Sequence, residues 1–136
     1  MYYRDFSKPP YGRGNMHKRG NIPDLRINMI RDAGAKPAAS THLPGATIPL
    51  LDEMGFDAYL APVNTVGYGM EPDIESTLKA LKQTKKAVIA IKPLAAGKIS
   101  PEKSVFEYIY RYADSIAVGI TSEKEMEETY SAALEC

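Results

Sequence analysis

The stretch KAVIAIKPLAAGKIS (residues 86–100) decides the fold. Ala87 to Ile91 are five consecutive apolar residues without polar alternation, the pattern of a strand covered on both faces. The run stops at Lys92-Pro93, and a Gly-containing link follows. A strand apolar on both sides belongs in a parallel sheet, where crossover helices connect successive strands and bury them.

Reading outward from it, the same unit recurs. DSIAVGIT (114–121) is an apolar strand followed by the capping box Ser122-x-x-Glu125, which opens a last helix expected to bury Met126, Tyr130 and Ala133. Between the two strands, Ser100-Pro101 is expected to cap a helix with Val105, Ile109 and Tyr112 on one face. Upstream, FDAYLAPV (56–63) reads as a strand, and the turn-rich NTVGYGMEP leads to Asp73 and a helix carrying Ile74, Leu78 and Leu81. PAASTH (37–42) reads as a short strand and ATIPLLDEMG (46–55) as its helix, closed by Gly55. The first helix opens at Pro23-Asp24, carries the stripe Leu25, Met29, Ile30 and Ala33, and ends at Gly34.

The order is therefore a helix followed by four strand–helix units over residues 23–136. Sequential right-handed crossovers put every helix on one face and leave the other face bare. The fold expected is α/β, a half TIM barrel of four parallel units. Its partner would be a second copy of the chain, in a homo-oligomer, or a missing N-terminal half-barrel. The alternative is a flavodoxin-like open parallel sheet, which stands alone.

Composition narrows the classes. The chain has 136 residues, 44% hydrophobic and 25% charged, which is globular composition. Seventeen basic residues balance seventeen acidic ones. A nucleic-acid partner is not expected, because neutralising many phosphates takes a basic domain. The longest apolar runs fall far short of a membrane span, the N-terminus has no secretory h-region, and one cysteine, Cys136, makes no internal disulfide. A cytoplasmic protein is expected. Residues 1–22 carry five basic residues against one acidic, with Tyr, Gly and Pro, and read as a loop or tail.

Candidate site residues fall at the C-terminal ends of the strands, where barrels build active sites. They are His42, Asn64 and Lys92 as catalytic candidates. Lys92 stands out: its stem starts in the core layer and its amine must reach the barrel mouth. His42 and Asn64 equally suit a strand end and a turn. For phosphate or a cofactor the candidates are Gly97 and Lys98, with Gly119, Thr121 and Ser122 at the start of the last helix. Ser122 is also accounted for by the cap alone. No metal motif is present: two His, one Cys, and neither H-E-x-x-H nor C-x-x-C.

KAVIAIKPLAAGKISPE and DSIAVGITSEKEMEET are similar to the seventh- and eighth-strand regions of aldo/keto reductases, and FDAYLAPVN and KPAASTH fit the sixth and fifth. The resemblance implies the C-terminal, NADPH-contacting half of such a barrel. The family's catalytic Asp, Tyr, Lys and His lie in its first four strands, which have no counterpart here, so reductase activity from this chain alone is not implied. Where the family carries Lys or Arg for the 2′-phosphate, this chain has Lys124 among four Glu. Two other readings stand beside it. One is a Schiff-base lyase of class I aldolase type, with Lys92 as the amine and His42 or Asn64 handling protons. The other is a non-catalytic half-barrel that binds phosphate or serves as structure.

Overall fold

A computed structural model describes residues 22–136 of the chain. The basic stretch 1–22 lies, except for Ile22, outside the described residues. The elements run α1 (Ile22–Asp32), β1 (Ala38–Ser40), α2 (Pro44–Leu51), β2 (Ala58–Pro62), α3 (Ile74–Gln83), β3 (Ala87–Ile91), α4 (Lys103–Tyr110), β4 (Ser115–Ile116) and α5 (Glu123–Leu134). The four strands form one sheet in the order β1-β2-β3-β4, and every pair is parallel. Residues 38, 58 and 87 stand side by side at its start. The fold is α/β with an all-parallel sheet alternating with helices. None of the described helices is long and apolar enough to cross a membrane.

One face of the sheet carries the core. Tyr59, Ala61, Val63, Val88 and Ala90 are buried against Ile48 and Leu51 of α2, Ala80 and Leu81 of α3, and Val105 and Ile109 of α4. The alternating residues Leu60, Ile89 and Ile91 point to the other face and stay partly exposed. At the bottom of the sheet the Asp52 carboxylate accepts from Tyr59 Oη at 2.7 Å and Thr84 Oγ1 at 2.8 Å, tying the end of α2 to β2 and to the end of α3. Burial and this carboxylate hold the Tyr59 hydroxyl well above the ordinary tyrosine range.

Several sequence expectations need correction. Helix α2 starts at Pro44, two residues earlier than expected, and its last turn tightens to a 3₁₀ helix over Asp52–Met54 before Gly55 stops it at φ 81°. Ser100-Pro101 does not cap α4, which starts after Glu102 without a side-chain cap. The strand expected over 114–121 pairs only at Ser115–Ile116, with one further rung where Ala117 N–H donates to the Ala90 carbonyl at 2.8 Å. The terminal helices depart most. In α5 the buried residue is Thr129, whereas Met126 is 49% and Tyr130 64% exposed. In α1, Ile27 is buried while Met29 is 63% and Ile30 37% exposed. Among the described residues these apolar side chains are left largely uncovered, although α5 touches α4.

Candidate functional site

The candidate residues lie at or just beyond the C-terminal ends of the strands, and of them Lys92, Gly97, Gly119 and Thr121 line one cleft. At the end of β1, Thr41 N–H donates to the Leu60 carbonyl, and its buried hydroxyl accepts from Leu43 N–H at 2.9 Å. This side-chain turn carries His42 past the sheet edge. Burial, and next the positive charge of Lys92, hold the His42 imidazole below its ordinary pKa.

Asn64 lies two residues beyond β2 and is fully buried. Its Oδ1 accepts from Tyr68 N–H at 2.8 Å and Val66 N–H at 3.3 Å. Its Nδ2 donates to the Tyr68 carbonyl at 2.9 Å and to the Lys92 carbonyl at 3.3 Å. Every polar group of this side chain is spent on backbone. Asn64 therefore acts as a positioning residue that folds the 64–70 loop and fastens it to the end of β3.

Lys92 follows β3 directly and has a left-handed backbone at φ 55°. That region costs a non-glycine residue about 1–2 kcal/mol, and such strain clusters at functional sites. The turn is held by Ala95 N–H donating to the Lys92 carbonyl at 3.0 Å. The side chain runs past Gly69, where an added Cβ would stand 3.4 Å from the ammonium. The ammonium sits 5.3 Å from the centre of the Tyr68 ring, and the Lys98 ammonium sits 4.7 Å from the same centre. Among the described residues, neither lysine has a carboxylate within 4.0 Å. Each of the two ammoniums is attracted to the π electrons of this one ring.

Tyr68 was not among the residues singled out from the sequence. The signal was the G-Y-G of VGYGMEP, which is too short for a nucleotide fingerprint. Gly67 and Gly69 both take left-handed φ, 75° and 71°, and a Cβ at Gly67 would come within 2.6 Å of Ile74. The two glycines form the turn that presents the ring.

Tyr68, Lys92, Gly97, Gly119 and Thr121 line one cleft of ≈ 660 Å³ that reaches α5. Ser122 caps α5, its Oγ accepting from Glu125 N–H at 3.2 Å. The Glu125 carboxylate reaches back to Thr121, accepting from both its N–H and its hydroxyl at 2.8 Å. These bonds hold Glu125 below the ordinary carboxylate range. An internal carboxylate thus occupies the donors expected to greet a phosphate. With Glu123, Glu127 and Glu128 nearby in sequence, this end of the cleft does not fit the 2′-phosphate of NADPH. No group of three or more His, Cys, Asp or Glu among the described residues is arranged to hold a metal. Comparison with family models, curated proteins and solved structures finds no match.

Proposed function

We propose that this chain is a half-barrel whose mouth holds an anionic small molecule, a ligand-binding half that does not carry out reductase chemistry by itself. The observation that carries this reading is the pair of ammoniums, Lys92 and Lys98, meeting on the Tyr68 ring without a carboxylate partner among the described residues. Both ammoniums stand within 5.3 Å of the Tyr68 ring centre, so an anion bound at the edge of that ring is attracted by both charges. The half-barrel part of the reading is supported by the sequential strand order, since a doubly wound sheet reverses its order at a switch point. It is also supported by the chemistry collecting at the strand C-termini, as in barrels. The resemblance to the C-terminal half of aldo/keto reductases agrees with both.

Calorimetric titration with inorganic phosphate, NADH and NADPH tests it. Millimolar phosphate binding is expected, lost in Lys92→Ala and weakened in Lys98→Ala, with no preference for NADPH over NADH. Micromolar NADPH binding that survives both substitutions would refute the site.

A second reading is favoured by the lowered pKa of His42 beside Lys92. An imidazole held toward its neutral form within electrostatic reach of a lysine suits proton transfer around a Schiff base. Borohydride trapping with small aldehydes or keto acids, followed by peptide mapping, would then label Lys92. Labelling spread over Lys79, Lys82, Lys85 and Lys86 would exclude it.

A further inference from the structure

We propose that the ligand of this cleft is an amphiphile with a single anionic group, a phosphate or carboxylate on an apolar body of aryl size. Its anion sits at Lys92 and Lys98 and its body lies along Leu94, Ile99 and Val118. The proposal rests on the anion-binding reading above and names what the anion is attached to.

The link that supplies the charge also supplies an apolar wall. Lys92, Leu94 and Ile99 all belong to the segment between β3 and α4, which is folded into a tight turn. Ala95 N–H donates to the Lys92 carbonyl at 3.0 Å, and the N–H groups of Gly97 and Ile99 both donate to the Leu94 carbonyl, at 3.0 and 3.2 Å. Lys92, Ala95 and Ala96 take left-handed φ of 55°, 48° and 57°. Non-glycine residues keep that conformation only where the surrounding structure holds them in it. The wall is therefore set before a ligand arrives. Leu94 and Ile99 pack against the core, yet both stay partly exposed and line the cleft. Val118, beyond β4, is also partly exposed and continues this lining. An apolar body that displaces water from these side chains gains affinity that inorganic phosphate lacks.

The charges permit one anion and not two. The Lys92 and Lys98 ammoniums stand 5.3 and 4.7 Å from the Tyr68 ring centre, so both attract the same group. Helix α5 lines the cleft with the opposite charge, Glu125 and Glu128. The Glu125 carboxylate already accepts from the Thr121 N–H and hydroxyl, and Glu128 stands 3.6 Å from Lys124. A second phosphate carried toward α5 meets these carboxylates. Dinucleotides and bisphosphates therefore fit worse than a ligand with one anion. The cleft volume of ≈ 660 Å³ suits a small ligand, since such sites span about 300–1,000 Å³.

Calorimetric titration of the full chain with inorganic phosphate, phenyl phosphate, glycerol phosphate and NADH is the test. Phenyl phosphate should bind about tenfold tighter than inorganic phosphate. Glycerol phosphate should stay within about threefold of inorganic phosphate, and NADH should bind no tighter than phenyl phosphate. Val118→Ser should cut the phenyl phosphate gain to about threefold or less and leave inorganic phosphate unchanged. Equal affinity for phenyl and inorganic phosphate, with both lost in Lys92→Ala, would overturn this proposal and leave the anion-binding reading standing. Tighter binding of glycerol phosphate or NADH than of phenyl phosphate would also overturn it, as would a gain that survives Val118→Ser intact. If neither phosphate binds, or both bind Lys92→Ala as well as the parent, the anion-binding reading itself falls.

Discussion

Replacing Asn64 by Ala tests whether this residue positions the site or only fills space. The side chain makes four hydrogen bonds, two at 2.8 and 2.9 Å to Tyr68 and two at 3.3 Å to Val66 and Lys92. A net contribution of about 1 kcal/mol for each short bond, and less for each long one, gives about 2–3 kcal/mol. The small cavity and the backbone groups left unpaired bring the expected loss to about 2–4 kcal/mol. That is a large share of a domain's typical stability of about 5–15 kcal/mol. Urea unfolding is the assay. With a slope of about 2 kcal/mol per molar, the midpoint should fall by roughly 1–2 M. Val66→Ala, at a residue 56% exposed, is the control and should stay within about 0.5 kcal/mol of the parent. Phosphate affinity should fall together with stability in Asn64→Ala, because Tyr68 loses both backbone tethers. A loss below about 0.5 kcal/mol would refute the argument that these bonds organise the 64–70 loop.

Lys92→Gly should separate stability from binding: relief of the left-handed backbone, about 1–2 kcal/mol, offsets the lost ring contact of about 0.5–1 kcal/mol, so stability stays level or rises while calorimetry finds no phosphate binding. Below pH 10.0 the Tyr59 hydroxyl keeps its proton in both the folded and the unfolded chain; above that value the unfolded chain ionises first, because the folded pKa is raised. Stability should therefore fall as pH rises beyond 10, and Tyr59→Phe should flatten that fall in denaturation curves measured from pH 9 to 11. Glu125→Ala frees the Thr121 N–H and hydroxyl, and phosphate affinity by calorimetry should rise about threefold to tenfold; an unchanged affinity would show that anions bind away from α5.

The central units were legible in the sequence because one face of each pattern is buried within the chain. AVIAI reads as a strand and is one, though only Val88 and Ala90 are buried and Ile89 and Ile91 stay partly exposed on the other face, and Asp73 caps α3 by accepting from Ser76 N–H at 2.7 Å. The terminal helices misled for the opposite reason. Met126 and Tyr130 are spaced as a buried stripe, and burial was inferred from spacing, but periodicity says only that a face is apolar and not that this chain covers it. Tyr68 was hidden because its role comes from the spatial meeting of two loops, one ending at Met70 and one holding Lys98. Neither lysine announces that meeting from its own neighbourhood. Asn64 was found for its place at a strand end, yet it serves the backbone, since a buried amide with two donors and two acceptor sites is the side chain best suited to bridging a loop and an adjacent strand. Position along a strand thus located the mouth. The difference between the two residues, Lys92 reaching the Tyr68 ring and Asn64 holding the turn, follows from which polar atoms are already taken.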